Sequence, residues 1–234
     1  MFLRLMDSAK LVLLTLLVLP AAAAERQLTL SYFDSPFQNL HVDIMAEAYQ
    51  GLDIDVKFIN LPSKRALVSS SKGLVDGETN RIGKIKAKFP SLIQIPIPMH
   101  PLVGAAYSLD GNLNIKHWQD LKPYRVGVLQ GVPFYEKPTQ GMNRLYANNY
   151  KQLFELLVRG RVDVVVGTTF SSEQTINQQF ADAGIIQDGS VLIHIETFHY
   201  LHQKNSDLVP AITRALQQMR DSGRIDQIVA DNLH

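Results

Sequence analysis

Arg81 and Glu78 stand out among the charged side chains because they follow a Gly-x-Val-Asp step at residues 73–76, which the chain repeats at residues 160–163. An arginine guanidinium binds a carboxylate through two parallel hydrogen bonds, so Arg81 is a suitable anchor for an acidic ligand. The same stretch also fits a solvated arginine on the surface of a helix, and both interpretations stay open at this point. Glu78 adds a carboxyl group that could exchange a proton with a ligand.

Each repeated step has the pattern of a helix end followed by a strand, since glycine suits the left-handed residue just past a helix. We expect Thr79 or Asn80 to begin a helix that runs to Lys88, and Ser171 or Ser172 to begin a helix in the second half of the chain. Helix N-termini beyond the carboxyl ends of strands are where open α/β sheets bind ligands, and they favour anions. A cation is disfavoured in a first helical turn, so the arginine there is a reason to consider a binding role beside that of a solvated surface residue.

Other arrangements that carry chemistry are weak in this chain. His194, His199 and His202 are close in sequence, but the first two fall on opposite faces of a strand, so we expect no metal site. The sequence has no Gly-x-Ser-x-Gly, no His-Glu-x-x-His and no glycine-rich phosphate loop. Glu78 is the one clear candidate for a general acid or base, and we expect neither a catalytic site nor a cofactor. Residues 133–135, Pro-Phe-Tyr, either line a cleft or cover a core.

Strands and helices alternate along the chain, which predicts an α/β fold with mostly parallel sheets. Residues 27–32 and 53–59 alternate polar and apolar side chains as strands do, and residues 41–50 between them have helical spacing. Residues 150–159 have the pattern of a strongly amphipathic helix, and residues 162–166 are an apolar run typical of a strand covered on both faces. We expect two such α/β units.

Two extended segments, residues 101–108 and 191–197, are expected to cross between the units, and Pro96, Pro98 and Pro101 disfavour a helix at the first of them. The first lobe would then contain residues 25–100 and 198–234, and the second lobe residues 109–190. A double crossover leaves a ligand cleft between the lobes and lets them move as rigid bodies about a two-strand hinge.

The N-terminus has the three parts of a secretory signal peptide: basic Arg4 and Lys10, an apolar run over residues 11–19, and small residues up to Ala24. The run is shorter than the about 20 apolar residues that a membrane-spanning helix needs. We therefore expect cleavage near Ala24 and export to the periplasm. The chain has no cysteine, so we expect neither a lipid anchor nor disulfide bonds.

The charge balance argues against a nucleic-acid or anionic-membrane partner. Two of the 23 Lys and Arg residues and one of the 22 Asp and Glu residues lie in the predicted signal peptide, so the remainder carries equal numbers of each sign. The length suits one large domain or two small lobes, and we expect a monomer.

With these residues in view, the chain resembles the family 3 extracellular solute-binding proteins, the periplasmic receptors of polar amino acid ABC transporters and their relatives. The resemblance covers nearly all of the chain after residue 24. It rests on the order and spacing of LTLSYF, KGLVDGETNR with the following IPIPM, DLKPYRVGVLQG, LLVRGRVDVVVG and DLVPAITRALQQMRDSGRIDQIV. The resemblance implies the two-lobed, type II periplasmic-binding-protein-like fold, with a two-strand hinge and closure on a small solute. The Gly-Phe-x-x-Asp opening that is typical of the first helix is replaced here by residues 40–43, Leu-His-Val-Asp.

The resemblance also assigns ligand-binding residues in the first lobe. It implies that Arg81 binds the α-carboxylate of the ligand and that Thr79 lies beside it. It further implies that an aromatic side chain just after the first strand packs on the ligand, and either Tyr32 or Phe33 fits that position.

In the second lobe the resemblance implies that the backbone N–H groups of Gly131 and Val132 also face the carboxylate. Amino acid binders commonly place an aspartate after the second-lobe strand to hold the ligand ammonium, and that position falls here at Gly167 or Thr168. Neither is a carboxylate, so we take Thr168 as the binding residue, with Glu78 as a substitute from the first lobe. We expect the contact with the acid to be kept and the contact with the amine to be altered.

The resemblance implies a non-enzymatic periplasmic receptor that closes over a small carboxylate-bearing solute, either an amino acid or a related organic acid. Its partner would be the permease of an ABC transporter. One alternative is a receptor for a membrane sensor with no transport role. The other is an enzyme, since a few relatives with this architecture are dehydratases that act on carboxylated ring compounds. Because function is carried by the site and not by the fold, the geometry of the cleft is needed to choose among them.

Overall fold

The computed structural model describes residues 26–83, 85 and 87–233, so the predicted signal peptide of residues 1–24 lies outside the described part of the chain. The described residues form two β-sheets that are both covered by helices. Every helix among them is too short or too polar to cross a bilayer.

The first lobe is built from both ends of the chain. Its elements, numbered in chain order, are β1 (Gln27–Tyr32), α1 (Pro36–Gln50), β2 (Asp55–Asn60), α2 (Ser63–Ser71), β3 (Gly77–Ile82), β4 (Leu92–Gln94), β11 (Thr197–His202), α6 (Val209–Asp221) and α7 (Arg224–Asp231). The strands form one sheet in the order β2-β1-β3-β11-β4. β1 runs parallel to β2 and β3, and β11 runs antiparallel to both of its neighbours.

The second lobe comes from the middle of the chain. Its elements are β5 (Leu102–Ser108), β6 (Val126–Leu129), α3 (Pro133–Glu136), β7 (Arg144–Ala147), α4 (Tyr150–Val158), β8 (Val164–Thr168), α5 (Thr169–Gln179), β9 (Ile186–Gln187) and β10 (Ile193–Ile195). The sheet order is β10-β5-β8-β6-β7, with β9 paired to β5. The parallel strands β7-β6-β8 therefore repeat the arrangement β2-β1-β3 of the first lobe, and β5 occupies the place of β11.

Each lobe has its own hydrophobic core. In the first lobe, Leu28 and Leu30 of β1 pack with buried side chains of α1, α6 and α7, and in the second lobe the valines of β8 pack with Leu153 and Phe154 of α4. Fully burying one such side chain contributes about 1.5–3 kcal/mol, so each lobe buries enough apolar surface to hold its sheet and helices together. Phe170 is an exception, because it lies on α5 of the second lobe and packs into the core of the first.

The repeated Gly-x-Val-Asp step fixes the start of a strand against its parallel neighbour in both lobes. The glycine has a positive φ in each copy, 71° in the first and 63° in the second, as expected just past a helix. The Asp76 carboxylate accepts a hydrogen bond from the N–H of Thr29 at 2.7 Å. The Asp163 carboxylate accepts one from the N–H of Arg125 at 2.8 Å. The repeat thus ties the entry of β3 to β1, and the entry of β8 to β6.

The predicted helix from Thr79 or Asn80 to Lys88 is wrong, because Gly77–Ile82 form the strand β3. This strand is paired with β1 on one side and with β11 on the other. A Cβ atom on Gly77 would lie 2.2 Å from the carbonyl oxygen of Tyr200, so the glycine permits the close approach of β11. Local spacing could not reveal this pairing because its partner strand lies far along the chain.

The helix expected to begin at Ser171 or Ser172 begins earlier. α5 starts at Thr169, and Thr168 is its N-cap without a side-chain capping bond. The reason is that β8 runs directly into α5, with no loop residue between them to act as a cap. Both serines lie within the helix and are buried.

The crossings between the lobes are shorter than the predicted segments 101–108 and 191–197. Most of the first segment is β5, an inner strand of the second sheet, and part of the second is β10, which pairs with β5. The chain therefore changes sheet at residues 99–101 and at residue 196. These segments are extended, as predicted, but their backbone groups pair within the second sheet.

The two crossings are hydrogen-bonded to each other. The N–H of Met99 donates to the carbonyl oxygen of Thr197 at 3.0 Å, and the Thr197 hydroxyl donates to the carbonyl oxygen of His100 at 2.8 Å. The His100 ring also packs edge-on against Phe170, with 6.0 Å between the ring centroids. The two bonded crossings, residues 99–101 and 196–197, therefore form the hinge, which we call the seam between the lobes.

The three neighbouring histidines do not come together. His194 lies on β10, largely exposed and 3.5 Å from Glu196, whereas His199 is fully buried in the first lobe. The His199 ring contacts the Tyr49 hydroxyl at 2.8 Å and the carbonyl oxygen of Glu78 at 2.7 Å. Burial lowers the pKa of His199 to about 4, so the ring is neutral at pH 7. Within the described residues, no group of three or more His, Asp and Glu side chains is arranged to hold a metal.

We expect Asp76→Ala to destabilise the protein more than Asp163→Ala. The Asp76 side chain is 17% exposed and also accepts from the Asn205 amide at 3.0 Å, whereas the Asp163 side chain is 36% exposed. Hydrogen bonds to a charged group contribute about 1.5–3 kcal/mol, and an exposed ion pair contributes about 0–1 kcal/mol. Urea unfolding of both variants at pH 7 measures the difference, and equal losses would contradict it.

The contribution of Asp76 should also depend on pH. Burial raises the pKa of Asp76, but bonds from Asn205, the Thr29 N–H and Lys204 outweigh it and leave the pKa below its ordinary value. The stabilisation is therefore fully present above the ordinary carboxyl pKa and is lost as the pH falls through the lowered one. Urea unfolding at pH 3 should show a smaller gap between wild type and Asp76→Ala than unfolding at pH 7.

Candidate ligand-binding site

A cavity of about 590 Å³ lies between the lobes. It is lined by residues 33–38, 63, 102, 129–135, 148–151, 168, 171, 175 and 179. Most of these residues follow the carboxyl ends of the parallel strands β1, β2, β6, β7 and β8. In α/β sheets such loops carry the ligand contacts, and the size suits a small solute.

Besides the single turn α3, four longer helices begin at this cavity, two from each lobe. α1 and α4 have side-chain caps, since Ser35 Oγ accepts from the N–H of Gln38 at 3.3 Å and Asn149 Oδ1 accepts from the N–H of Gln152 at 2.8 Å. α2 and α5 have no side-chain cap. Their first N–H groups are therefore open to a ligand, and the partial positive charge of each N-terminus favours an anion.

Arg81 lies behind the wall of the cavity. Its Nε atom forms an ion pair with Glu78, its Nη1 donates to Ser63 Oγ at 2.9 Å, and its Nη2 donates to the Ser63 carbonyl oxygen at 2.7 Å. The guanidinium carbon also lies 5.4 Å from the centroid of the Phe33 ring. Arg81 and Glu78 are not among the lining residues, but Ser63 and Phe33 are. The predicted anchor thus touches two residues of the cavity wall.

A β-bulge places Glu78 and Arg81 beside each other. Arg81 lies opposite Phe198 and Glu78 lies opposite Tyr200, so two residues of β3 face the single residue His199 on β11. The Glu78 residue is 1% exposed, and its carboxylate also accepts from Ser70 Oγ at 2.9 Å. Burial raises the pKa of Glu78, whereas Arg81 and Ser70 act in the opposite direction. Glu78 is therefore an internal counter-ion for Arg81 and is not among the residues that line the cavity.

Of the other first-lobe candidates, the structure brings only Phe33 to the cavity. Thr79 is fully buried, and its hydroxyl has no hydrogen-bond partner among the described residues. Tyr32 is the last residue of β1, is half-buried and lies outside the cavity wall. Phe33 follows it and lines the cavity, so it is the aromatic side chain placed to pack on a ligand.

Gly131 and Val132 line the second-lobe side of the cavity. Gly131 has a φ of 75°, which suits glycine, and its N–H donates to the Glu136 carboxylate at 2.7 Å. The N–H of Gly131 is thus already occupied, so a ligand carboxylate would have to take the place of Glu136. Val132 precedes α3 and has no side-chain capping role.

Thr168 also lines the cavity, and its polar groups are occupied by a tyrosine. The hydroxyl of Tyr150 accepts from the N–H of Thr168 at 3.0 Å and lies 2.8 Å from Thr168 Oγ1. The hydroxyl of Tyr135 lies 3.4 Å from that of Tyr150. Phe134 lines the cavity while Tyr135 both lines it and is buried, so both interpretations of residues 133–135 apply.

Among the lining residues that the sequence does not assign to ligand binding, five carry notable polar groups. Asp34 and Lys151 are charged and exposed, and Tyr150 supplies the hydroxyl beside Thr168. Gln38 and Ser171 are buried, and their side-chain oxygens have no hydrogen-bond partner among the described residues. All five follow the end of a parallel strand by only a few residues. The signal that could have found them is that every parallel strand of a lobe ends at the cleft.

Solved structures with the same fold bind amino acids. The ligand-binding core of GluR0 in complex with L-glutamate has a TM-score of 0.74 at 13% identity, over 91% of this chain and 100% of that one. AbpA, an amino acid ABC transporter substrate-binding protein from Streptococcus pneumoniae bound to L-arginine, has a TM-score of 0.69 at 14% identity, over 88% and 94%. An ancestral arginine-binding protein bound to arginine gives 0.68 at 22% identity, over 88% and 97%. The chain thus has the two-lobed type II fold, as predicted.

The sequence relatives are distant. A segment of 135 residues, 56% of this chain, is 26% identical to a protein of Shewanella frigidimarina named "Putative sensor protein" and covers 20% of that protein. A longer match of 214 residues, 86% of this chain, is 24% identical to an uncharacterized protein of Shewanella oneidensis and covers 80% of it. The chain therefore spans only a fifth of the first of these relatives. No family model matches the chain.

We expect Arg81→Ala to destabilise the protein, in contrast to the small effect expected of a solvated arginine. The variant leaves the Glu78 carboxylate buried without its cation, and breaking a buried pair from one side costs about 3–5 kcal/mol. Replacing Glu78 as well, in Arg81→Ala/Glu78→Gln, should recover much of the loss because the unpaired charge is gone. Urea unfolding of the wild type, the two single variants and the double variant gives the coupling energy between residues 78 and 81.

Arg125→Ala is the matched control, since Arg125 also pairs with a carboxylate but is largely exposed. It should cost far less than Arg81→Ala, because solvent screens an exposed ion pair. A similar small loss for Arg81→Ala, or additive losses in the double variant, would show that the Glu78–Arg81 pair does not stabilise the fold.

Proposed function

We propose that the protein is a periplasmic solute-binding protein that closes its lobes over a small carboxylate-bearing solute and delivers it to an ABC transporter. The observation that carries this proposal is the interlobe cavity at which the four longer helices α1, α2, α4 and α5 begin, two of them without side-chain caps. Such a site attracts an anion without needing a metal or a cofactor. That the solved structures with this fold bind glutamate or arginine supports a ligand of amino acid size.

We further propose that Arg81 helps to hold the ligand carboxylate. A guanidinium has five N–H donors, and Glu78 and Ser63 take three of those of Arg81. The remaining donors lie next to Ser63, which lines the cavity and begins α2. A carboxylate at the start of α2 would therefore meet both the helix N-terminus and Arg81.

Two partners on the membrane fit the proposal. The permease of an ABC transporter is the first candidate, supported by the likeness to a transporter-linked binding protein. A membrane sensor is the second, favoured by the relative whose name describes a sensor. Cross-linking of the protein in membranes of its own host, followed by mass spectrometry, separates the two, because the captured partner is either a permease or a signalling protein.

We propose that the protein is not an enzyme. A general acid or base must reach the ligand directly or through one water molecule. Glu78 is the carboxyl group that the sequence favours for that role, but it is paired with Arg81 and lies behind the cavity wall. A dehydratase activity on carboxylated ring compounds would contradict the proposal, and it is measured by product formation after incubation with such compounds.

Export is part of the proposal and is tested separately. The mature protein should appear in the periplasmic fraction, with an N-terminal sequence that begins at Glu25. A protein that retains residues 1–24 in the membrane fraction would overturn this part and leave the binding proposal intact.

The binding proposal is tested by a thermal-shift screen of small organic acids and amino acids with the mature protein. A ligand that binds only the folded state raises the melting temperature by mass action. Failure of every acid to shift the melting temperature, while uncharged solutes do so, would overturn the proposal of an acidic ligand.

We expect the best ligand of the screen to close the lobes. Closure about a two-strand hinge brings the cavity walls together, so the radius of gyration should fall on ligand binding. Small-angle X-ray scattering with and without saturating ligand measures this change. An unchanged radius of gyration at saturation would show that the ligand binds without closure.

We expect Glu78→Gln to strengthen the binding of carboxylates and Arg81→Lys to weaken it. Glu78 competes with the ligand for Arg81, so its neutralisation should raise the affinity about fivefold or more. An ammonium cannot reproduce the planar guanidinium, so Arg81→Lys should bind about tenfold more weakly. Isothermal calorimetry with the best acid measures both. Unchanged affinity in both variants would remove Arg81 from the binding site.

A further inference from the structure

Part of the second-lobe side of the cavity is an aromatic surface whose side chains carry no charge. We name the side chains of Phe134, Tyr135, Tyr150 and Thr168 the second-lobe wall, and all four line the cavity. Tyr150 is held in place by its bonds with Thr168, at 2.8 and 3.0 Å, and by its contact with Tyr135. A ring held by its own hydroxyl presents a fixed apolar face, which is the kind of surface on which another ring packs well.

The same tyrosine crowds the end of β8. A Cβ atom on Gly167 would lie 2.8 Å from Cε1 of Tyr150 and 2.6 Å from Oγ of Ser172, so a side chain there would force one or both of them to move. At the next position, the N–H and hydroxyl of Thr168 are both engaged by Tyr150. The second-lobe wall therefore offers a ligand an aromatic surface and no counter-ion.

The charged side chains that do line the cavity, among the described residues, are Asp34 and Lys151, and both are exposed. The Asp34 carboxylate belongs to the first lobe and accepts from the Asn39 amide at 3.3 Å. An ammonium pressed against the second-lobe wall would be buried without an anion, which is strongly unfavourable. A neutral ring in the same place would lose little on leaving water.

We propose that the cleft selects carboxylic acids that carry an aromatic ring and no ammonium, with Tyr150 as a residue that determines this specificity. The carboxylate lies toward the uncapped helix N-termini and the ring lies against the second-lobe wall. This inference rests on the proposed function, because it names the class of solute that the same cleft takes. The cavity of about 590 Å³ has room for such an acid.

Three probes separate the contributions of the ring and of the ammonium. 3-Phenylpropanoate has the ring and no ammonium, L-phenylalanine adds the ammonium, and butanoate lacks both. By calorimetry on the mature protein, 3-phenylpropanoate should bind at least about tenfold more tightly than either of the others, since both the ring contact and the missing counter-ion favour it. Equal or tighter binding of L-phenylalanine, or of butanoate, would overturn the inference.

Substitutions then test Tyr150 itself. Tyr150→Leu should weaken 3-phenylpropanoate about tenfold and change butanoate little, because only the ring loses its partner. Tyr146→Leu is the matched control, since Tyr146 is an exposed tyrosine of the second lobe that lies outside the cavity wall, and it should change neither affinity. The same loss for both probes in Tyr150→Leu would show that Tyr150 only supports the fold.

Thr168→Asp tests the missing counter-ion by adding one. It should raise the affinity for L-phenylalanine relative to 3-phenylpropanoate, and no change in that ratio in a folded variant would count against the inference. If the variant does not fold, the relative affinities of the wild-type protein for the three probes still test the inference. Binding of glutamine or arginine without binding of 3-phenylpropanoate would leave the proposed function standing and overturn this inference alone, whereas binding of no acid at all would overturn both.

Discussion

The buried carboxylate of Glu78 is the constraint on which the first-lobe side of the cleft depends. A carboxylate with 1% exposure needs a cation and further donors, and Arg81 and Ser70 supply them. The ion pair with Glu78 fixes the position of Arg81. Arg81 in turn donates hydrogen bonds to Ser63 at the start of α2 and lies over the ring of Phe33. One desolvated charge thus positions a helix N-terminus and an aromatic ring, both of which line the cavity.

The two lobes use one backbone plan for different chemistry. Asp76 and Asp163 make the same bond to the neighbouring parallel strand, but the β-bulge of β3 adds a residue before Arg81 that β8 lacks. Five residues on, the first lobe has Arg81 and the second has Thr168. One is a cation paired with a buried anion, and the other is a neutral residue bonded to Tyr150. A charged pair therefore lies behind the first-lobe wall of the cleft, whereas the second-lobe wall is aromatic.

The sequence predicts those parts of the fold that local periodicity specifies. The strand predicted at residues 27–32 and the amphipathic helix predicted at residues 150–159 are observed as β1 and as α4, Tyr150–Val158. The sequence predicts a helix where β3 lies, because the form of β3 is set by its pairing with the distant strand β11. The His199 ring of β11 contacts the carbonyl oxygen of Glu78 at the bulge. The site shows the same limit: its residue types are visible in the sequence, but the Glu136 carboxylate that occupies the N–H of Gly131 is not.

The seam between the lobes restricts how the cleft can change its width. The crossings are bonded through Met99 and Thr197, and Phe170 of the second lobe packs in the first-lobe core. On α5, the Gln174 and Asn177 amides donate to the backbone carbonyl oxygens of residues 232 and 233, at 2.7 and 3.1 Å. Sliding of one lobe along the other would break all of these contacts, whereas a rotation about the seam strains them least. α5 also begins at the cavity, so such a rotation moves its uncapped N-terminus relative to the first lobe. A contact between a ligand and this N-terminus would therefore depend on the orientation of the lobes.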